Sequence, residues 1–221
     1  MRVERIVDLS IVMDGDTQTY PGDPTPAIGP ATTIEADGFN VLSIAIGSHT
    51  GTHVDAPYHF LADGARLDHL GLGLFAGPST IVDVSGHGPR QPITWDDVAP
   101  YSEWLGPEVI LALRTAWSDH HLGTDRYFDH PYLGEDACDR ILELGVRTLA
   151  IDALNPDQTV LEGEAGFPVH RRWLGAGGVI AENLTNLGAV DFDDAVVCLF
   201  PIRVGGKADG APCRAIALQL V

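Results

Sequence analysis

The residues His49-Thr50-Gly51-Thr52-His53-Val54-Asp55-Ala56-Pro57-Tyr58-His59 place four cation-binding or proton-moving side chains within one short stretch. All four, His49, His53, Asp55 and His59, occupy odd positions, and side chains of an extended chain alternate between its two faces. An extended backbone here would turn the four to one side, so the fold has to supply walls that enclose them. Three histidines and one aspartate of shared parity predict a metal pocket. Imidazole and carboxylate donors suit zinc, manganese or iron(II), and with no cysteine nearby a structural thiolate zinc site is not expected. Gly51 permits close approach of another backbone or a ligand, and Pro57 stiffens the chain just ahead of His59.

The surrounding chain reads mostly as strands. Short β-branched runs recur at 5–9, 41–46, 80–84, 109–113, 148–151, 178–181, 195–200 and 215–220. Two segments have helical periodicity: 135–144, with Ala137, Ile141, Leu142 and Leu144 on its apolar side and Gly145 as the stop, and 168–174, ended by Gly175. A shorter helix is expected to start at Thr94. Gly- and Pro-rich stretches at 20–30, 71–78, 86–92 and 205–212 read as loops. The segment 117–132 shows neither period and reads as a lid over the site or as a surface loop. Strands first, helices interspersed later and strands last favour an α/β fold: a strand-rich mixed sheet or barrel with helices outside.

Composition narrows the partners. With 221 residues, 45% of them hydrophobic, residues 1–221 are expected to form a single globular domain. Thirteen Lys and Arg against 31 Asp and Glu leave a net charge of −18, which repels phosphate backbones and anionic lipid surfaces. Neither nucleic acid nor membrane is an expected partner; a small molecule is. Cys138, Cys198 and Cys213 are odd in number and far apart, unlike a secreted disulfide scaffold, which fits a reducing cytoplasm. No basic segment followed by an apolar core opens the sequence, and no apolar run approaches the roughly 18 to 20 residues of a membrane span.

The stretch His49-Thr50-Gly51-Thr52-His53-Val54-Asp55-Ala56-Pro57-Tyr58-His59-Phe60 resembles the signature of the metal-dependent cyclase family, which includes bacterial kynurenine formamidases and isatin hydrolases. The resemblance continues in Asp8-Leu9-Ser10, Tyr20-Pro21-Gly22-Asp23-Pro24, Gly145-Val146 before the strand ending at Asp152, and Ala181-Glu182-Asn183-Leu184. It implies a swivelling β/β/α-type domain holding two divalent ions, zinc or manganese, in a homodimer or homotetramer with the site near a subunit boundary. His49, His53 and Asp55 would hold one ion, and Asp55 would bridge to a second completed by His170 and Glu182. The spacing of His170 and Glu182 matches no local ligand motif, so their assignment comes from the resemblance alone.

His59 would then be the acid and base catalyst, a role suited to imidazole, which ordinarily titrates near neutrality. Its alternative is a third ligand on the first ion. The implied activity is hydrolysis of a carbon–nitrogen bond in a small aromatic or cyclic amide. The same site would also serve a cyclase that closes or dehydrates a ring, and a metal-binding module without turnover is the non-catalytic reading.

Tyr20 stands where the family's formamidases carry a tryptophan against the substrate ring; it offers a flat face and a hydroxyl, or simply packs before a Pro-Gly turn. Asp8 and Asp152 sit at strand ends and read as caps or turn residues. His120, His121 and His130 read as solvated loop residues. Arg114 and Arg203 read as salt-bridge partners, with a substrate carboxylate as the alternative.

Overall fold

Continuous apolar runs at 110–113, 149–151 and 179–181 lie in three of the parallel strands at the centre of the fold, the pattern expected where both faces of a sheet are covered. A computed structural model describes residues 2–163 and 165–221. Its described strands are β1 (Val3–Asp8), β2 (Ala27–Thr32), β3 (Val41–Ala45), β4 (His53–Asp55), β5 (Ala76–Asp83), β6 (Pro92–Ile93), β7 (Ile110–Arg114), β8 (Tyr132–Leu133), β9 (Thr148–Ile151), β10 (Val179–Glu182), β11 (Val196–Cys198), β12 (Gly210–Pro212) and β13 (Ile216–Leu220). Nine of them form one sheet in the order β1-β13-β11-β5-β7-β9-β10-β4-β12. The middle, β5-β7-β9-β10, is parallel, and every other pairing within this sheet is antiparallel. The described α-helices are α1 (Ile34–Asp37), α2 (Trp95–Val98), α3 (Trp117–His121), α4 (Glu135–Glu143) and α5 (Pro168–Gly175).

Strand alternation sorts the core into two layers. Leu111, Leu113, Leu149, Ile151 and Ile180 point toward α4 and α5, where they meet Ile141, Val169 and Trp173. Their neighbours Ile110, Ala112, Ala150, Val179 and Ala181 point to the other side. That second layer also collects Val54 from β4 and Ala211 from β12 at one end of the sheet, and Val197 from β11 and Ala217 from β13 at the other. Strands from both ends converge on one face, so the sheet is curled, and the many alanines inside the curve are the volume such curvature leaves. Burying each large aliphatic side chain of the helix-side layer stabilises by about 1.5–3 kcal/mol relative to exposure.

All eight strands expected from β-branched runs are present, with bounds shifted by a few residues at most, and both longer helices form where periodicity places them. Gly145 closes α4 at φ +94, its N–H donating to the Leu142 carbonyl at 3.0 Å. Thr94 caps α2, and Asp97 answers by accepting from the Thr94 N–H at 2.7 Å. Four segments differ. The expected loop 20–30 ends in β2, 71–78 runs into β5, 205–212 ends in β12, and 117–132 folds as α3 followed by a 3-10 turn over Asp125–Asp129. Glycine- and proline-rich strands such as β12 lack the β-branched signal because neighbouring strands supply their pairing.

Candidate metal centre

β4 has three residues and is paired on both sides, so its register decides what the site contains. His53 lies opposite Glu182 of β10, and Asp55 lies opposite Ile180 on β10 and Gly210 on β12. Directly opposed residues of an antiparallel pair share a face. His53, Asp55 and Glu182 therefore share the side that carries Ile180, toward α5, and Val54 and Ala181 fill the curved interior. Glu182 ends β10, beyond the carboxyl edge of the parallel strands, where ligands of open α/β sheets bind.

The expectation of one extended run from His49 to His59 is corrected here: only His53 to Asp55 is a strand. Gly51, at φ +68, turns the chain ahead of it, and Thr52 pins that turn by donating to the Asn183 carbonyl at 2.6 Å. Pro57 opens a 3-10 turn that ends at His59. The turns on either side bring His49 and His59 face to face, ring centroids 3.9 Å apart and 33° between planes. The four side chains converge, through turns rather than through strand parity.

Asp55 separates the histidines by oxygen. Its Oδ1 is 2.7 Å from His49 Nδ1 and 3.2 Å from His53 Nε2, and its Oδ2 is 3.4 Å from His170 Nε2. His170 Nε2 also lies 3.1 Å from Glu182 Oε1, and His53 Nε2 lies 3.4 Å from Glu182 Oε2. Donor atoms converge in two groups, His49 with Asp55 and His59, and His53 with Asp55 and Glu182, both sharing Asp55. His53 Nε2, Asp55 Oδ2 and Glu182 Oε1 are buried and have no hydrogen-bond partner among the described residues. Each such buried atom would cost about 1–3 kcal/mol unless something satisfies it, and bound cations would do so. The donor set fits divalent metal.

Each of these imidazoles has its remote nitrogen committed. His53 Nδ1 donates to the Gly51 carbonyl at 2.8 Å, His49 Nε2 to Asp209 Oδ2 at 3.2 Å, and His170 Nδ1 to Asp157 Oδ2 at 2.6 Å. Partners of this kind fix the tautomer and aim the other nitrogen at the ion. Asp157 is 2% exposed and also accepts from the N–H groups of Val169 and His170 at 2.8 and 3.0 Å. One carboxylate thus caps the first turn of α5 and orients the histidine that α5 delivers.

The field in the cluster is strongly negative. Burial alone would lower the imidazoles, but Asp55 outweighs it and lifts His49 to about 9; with Glu182 it lifts His53 to about 10. His170 is held well above its ordinary value by Asp157, Asp55 and Glu182 against the same burial penalty. Asp55 lies well below the carboxylate range despite its burial, because His49 and His53 face it. A field that retains protons on histidine also attracts a divalent cation, which displaces them.

A cavity of about 380 Å³ opens onto this cluster, lined by His49, His53, His59, His170 and Glu182 at its base. Tyr20, Phe60 and Phe167 form its aromatic wall, with Phe167 centred 5.9 Å from Tyr20 and 5.3 Å from Phe60. Phe167 holds this place at φ +47, a left-handed backbone that costs a phenylalanine about 1–2 kcal/mol. Tyr20 thus lines the cavity.

Several other candidates lie elsewhere. His130 is buried, paired through Nδ1 with the Pro131 carbonyl and through Nε2 with Thr159, so it is a satisfied core residue rather than a solvated one. No residue of 117–132 is in the described cavity wall, and Trp117 and Tyr127 are buried, so this segment is packed structure rather than a lid. Asp8 accepts from Arg214 and from the Ser10 N–H. Asp152, pushed up to about 6 by burial, joins β9 to the start of α3 through Thr115 and Ala116. Arg114 pairs with Asp83, and Arg203 is exposed. Sequence reasoning gave no role to Asp157, Asp209, Asn183, Phe60 or Phe167; Asp157 meets His170 across 13 residues, Asn183 meets Tyr127 across 56 and Asp209 meets His49 across 160.

Comparison with known proteins places this geometry. The model of the Cyclase family, described as "Putative cyclase", matches residues 7–158. The chain is 30% identical over 217 residues to the kynurenine formamidase of Bacillus mycoides (strain KBAB4), covering 98% of each chain. It is 28% identical over 226 residues to that of Delftia acidovorans (strain DSM 14801 / SPH-1), again with 98% of each covered. A crystal structure of an isatin hydrolase bound to the product analogue thioisatinate superposes with a TM-score of 0.87 at 22% identity, covering 98% of this chain and 92% of that one. With the family model matching over most of its length and the curated relatives aligned end to end, the chain belongs to the cyclase family.

Proposed function

We propose that this protein is a metal-dependent hydrolase that opens a carbon–nitrogen bond in a small aromatic or cyclic amide. The observation that carries the reading is the set of three buried, unsatisfied atoms, His53 Nε2, Asp55 Oδ2 and Glu182 Oε1, at the base of an aromatic-walled cavity. The relatives named as kynurenine formamidases support the amide class. His49, His53, Asp55, His170 and Glu182 would hold two divalent ions, zinc or manganese, with Asp55 common to both donor groups. When bound, such ions lower the pKa of water toward neutrality and polarise a carbonyl.

The protein's own groups do the rest. Tyr20, Phe60 and Phe167 hold a flat ring and exclude water from one side of it. His59 is the acid and base: it lines the cavity with its side chain 28% exposed, against 14%, 2% and 4% for His49, His53 and His170. It takes the proton of the attacking water and passes it to the leaving nitrogen. Exposed apolar residues on the β2-β3 arm, Val41, Leu42 and Ile44, support a homodimer or homotetramer. The free thiols Cys138, Cys198 and Cys213 support a cytoplasmic location, and no described helix is long and apolar enough to cross a membrane.

The test replaces His53 and Asp55 by alanine and follows metal content together with hydrolysis of N-formylkynurenine, isatin and simple aryl esters. Full activity in a metal-free variant refutes the mechanism. Product mass separates hydrolysis, which adds water, from ring closure by dehydration, which removes it. A place in tryptophan catabolism follows if N-formylkynurenine is the substrate turned over.

A further inference from the structure

Asn183 follows Glu182 at the end of β10, lines the cavity and is 3% exposed. Its backbone is left-handed at φ +55, a conformation that asparagine tolerates better than most residues and that here turns the side chain out of the strand direction. Its backbone N–H donates to the Ala153 carbonyl at 2.9 Å, and its carbonyl accepts from Thr52 Oγ1 at 2.6 Å. Its side-chain Oδ1 accepts from the Tyr127 hydroxyl at 2.9 Å. Among the described residues the Nδ2 amide makes no hydrogen bond, and it is not one of the sealed, unpartnered atoms of the core, so its two N–H donors open onto the cavity that Asn183 lines.

The Tyr127 contact decides which end of the amide faces the cavity. Tyr127 is fully buried, and its hydroxyl has no other partner among the described residues. If the amide were reversed, Nδ2 would donate to the tyrosine oxygen and the hydroxyl proton would be stranded in the core, at a cost of about 1–3 kcal/mol. Burial also holds the Tyr127 phenol well above its ordinary value, so it keeps that proton and remains a donor. The hydroxyl donates, Oδ1 accepts, and Nδ2 is left facing the cavity beside Glu182. A satisfied buried pair thus fixes an unsatisfied donor.

We infer that Asn183 Nδ2 is the hydrogen-bond donor to the carbonyl oxygen under attack, with Tyr127 as its positioning residue. This deepens the hydrolase reading above and rests on it. Water oxygen bonds to the carbonyl carbon, and the C=O π pair moves onto oxygen as an oxyanion, toward which Nδ2–H donates. The pair returns as the carbon–nitrogen bond breaks, and the leaving nitrogen takes the proton carried by His59. A neutral amide suits this task because it stabilises developing negative charge without pairing permanently with Glu182.

The experiment compares wild type with Asn183→Gly, which keeps the left-handed backbone, Asn183→Asp, which retains the acceptor for Tyr127 but loses the donor, and Tyr127→Phe. Each is purified with its metal content and Tm measured, then assayed on the amide that wild type hydrolyses. Removing one such donor is expected to lower kcat about 10²- to 10³-fold with KM changed less than threefold. Tyr127→Phe should lower kcat by a smaller factor, again without a change in KM. Glycine and aspartate variants that keep kcat within threefold of wild type overturn the inference, as does a kcat loss that tracks loss of metal. A wild type inert to every amide refutes the hydrolase reading instead. The Asn183 side-chain amide resonances in ¹⁵N-labelled protein then decide: a downfield shift with millimolar formanilide supports the donor role, and an unmoved signal overturns it.

Discussion

Replacing Asp157 by asparagine should loosen the metal centre without touching any proposed ligand. The side chain is 2% exposed and accepts three hydrogen bonds, from the N–H groups of Val169 and His170 and from His170 Nδ1 at 2.6 Å. Asparagine preserves its volume, but only one end of an amide accepts. Placing Oδ1 toward the helix puts Nδ2 against the imidazole N–H, donor against donor. A charge-assisted buried hydrogen bond contributes about 1.5–3 kcal/mol and a helix cap about 1 kcal/mol, with part of the cap retained in the variant. A loss of about 2–3 kcal/mol lowers Tm by about 4–12 °C in a chain of this size.

The diagnostic effect is on metal. Once the Asp157 acceptor is gone, the 2.6 Å hydrogen bond that orients the His170 ring is lost, and losing an outer-shell carboxylate typically weakens metal binding about 10- to 100-fold. Competition against a chromophoric chelator measures that affinity, and a thermal melt in excess chelator isolates the structural part. An asparagine variant with wild-type metal affinity refutes the orienting role, and an unchanged Tm in chelator refutes the capping role.

Gly210→Ala should disturb the other side of the centre, because an added Cβ would lie 2.8 Å from His49 Cε1 and 2.8 Å from the Val54 carbonyl; metal analysis should show a reduced metal-to-protein ratio. Phe167→Gly removes part of the aromatic wall and relieves the positive-φ strain, so KM for aryl amides should rise about 3- to 10-fold with Tm unchanged or higher, read by steady-state kinetics and calorimetry. In chelator, the protein should lose stability as pH rises from about 6.5 to 10. His49 and His53, raised to about 9 and about 10, contribute stability that is complete below the unfolded value and is lost as each deprotonates in the folded state. A Tm that rises over that window in metal-free protein would contradict the electrostatics described for the cluster.

Much of the fold is legible in the order of residues. The continuous apolar runs at 110–113, 149–151 and 179–181 become the parallel centre of the sheet because each carries its burial pattern within a few residues. The amphipathic segment at 135–143 and its Gly145 stop are equally local. The dense run from His49 to His59 announces metal chemistry for the same reason: its donors are near neighbours in sequence, so their chemistry shows before any fold does.

Tertiary structure decided how those donors are arranged. The alternation that suggests one extended segment is broken by Gly51 and Pro57, and the histidines meet because β4 is gripped between β10 and β12 in a register that sets His53 against Glu182. Asp157 reaches His170 across thirteen residues, Asp209 reaches His49 across 160, and Tyr127 fixes Asn183 across 56. None of these carboxylate, hydroxyl or amide groups has a local pattern to announce it. Their roles depend on direction and on the partners left over after every other polar atom is satisfied, and both are properties of the folded interior. The sequence by itself determined that a strand-rich chain would carry a cluster of oxygen and nitrogen donors; which ring nitrogen faces that cluster was decided only by packing.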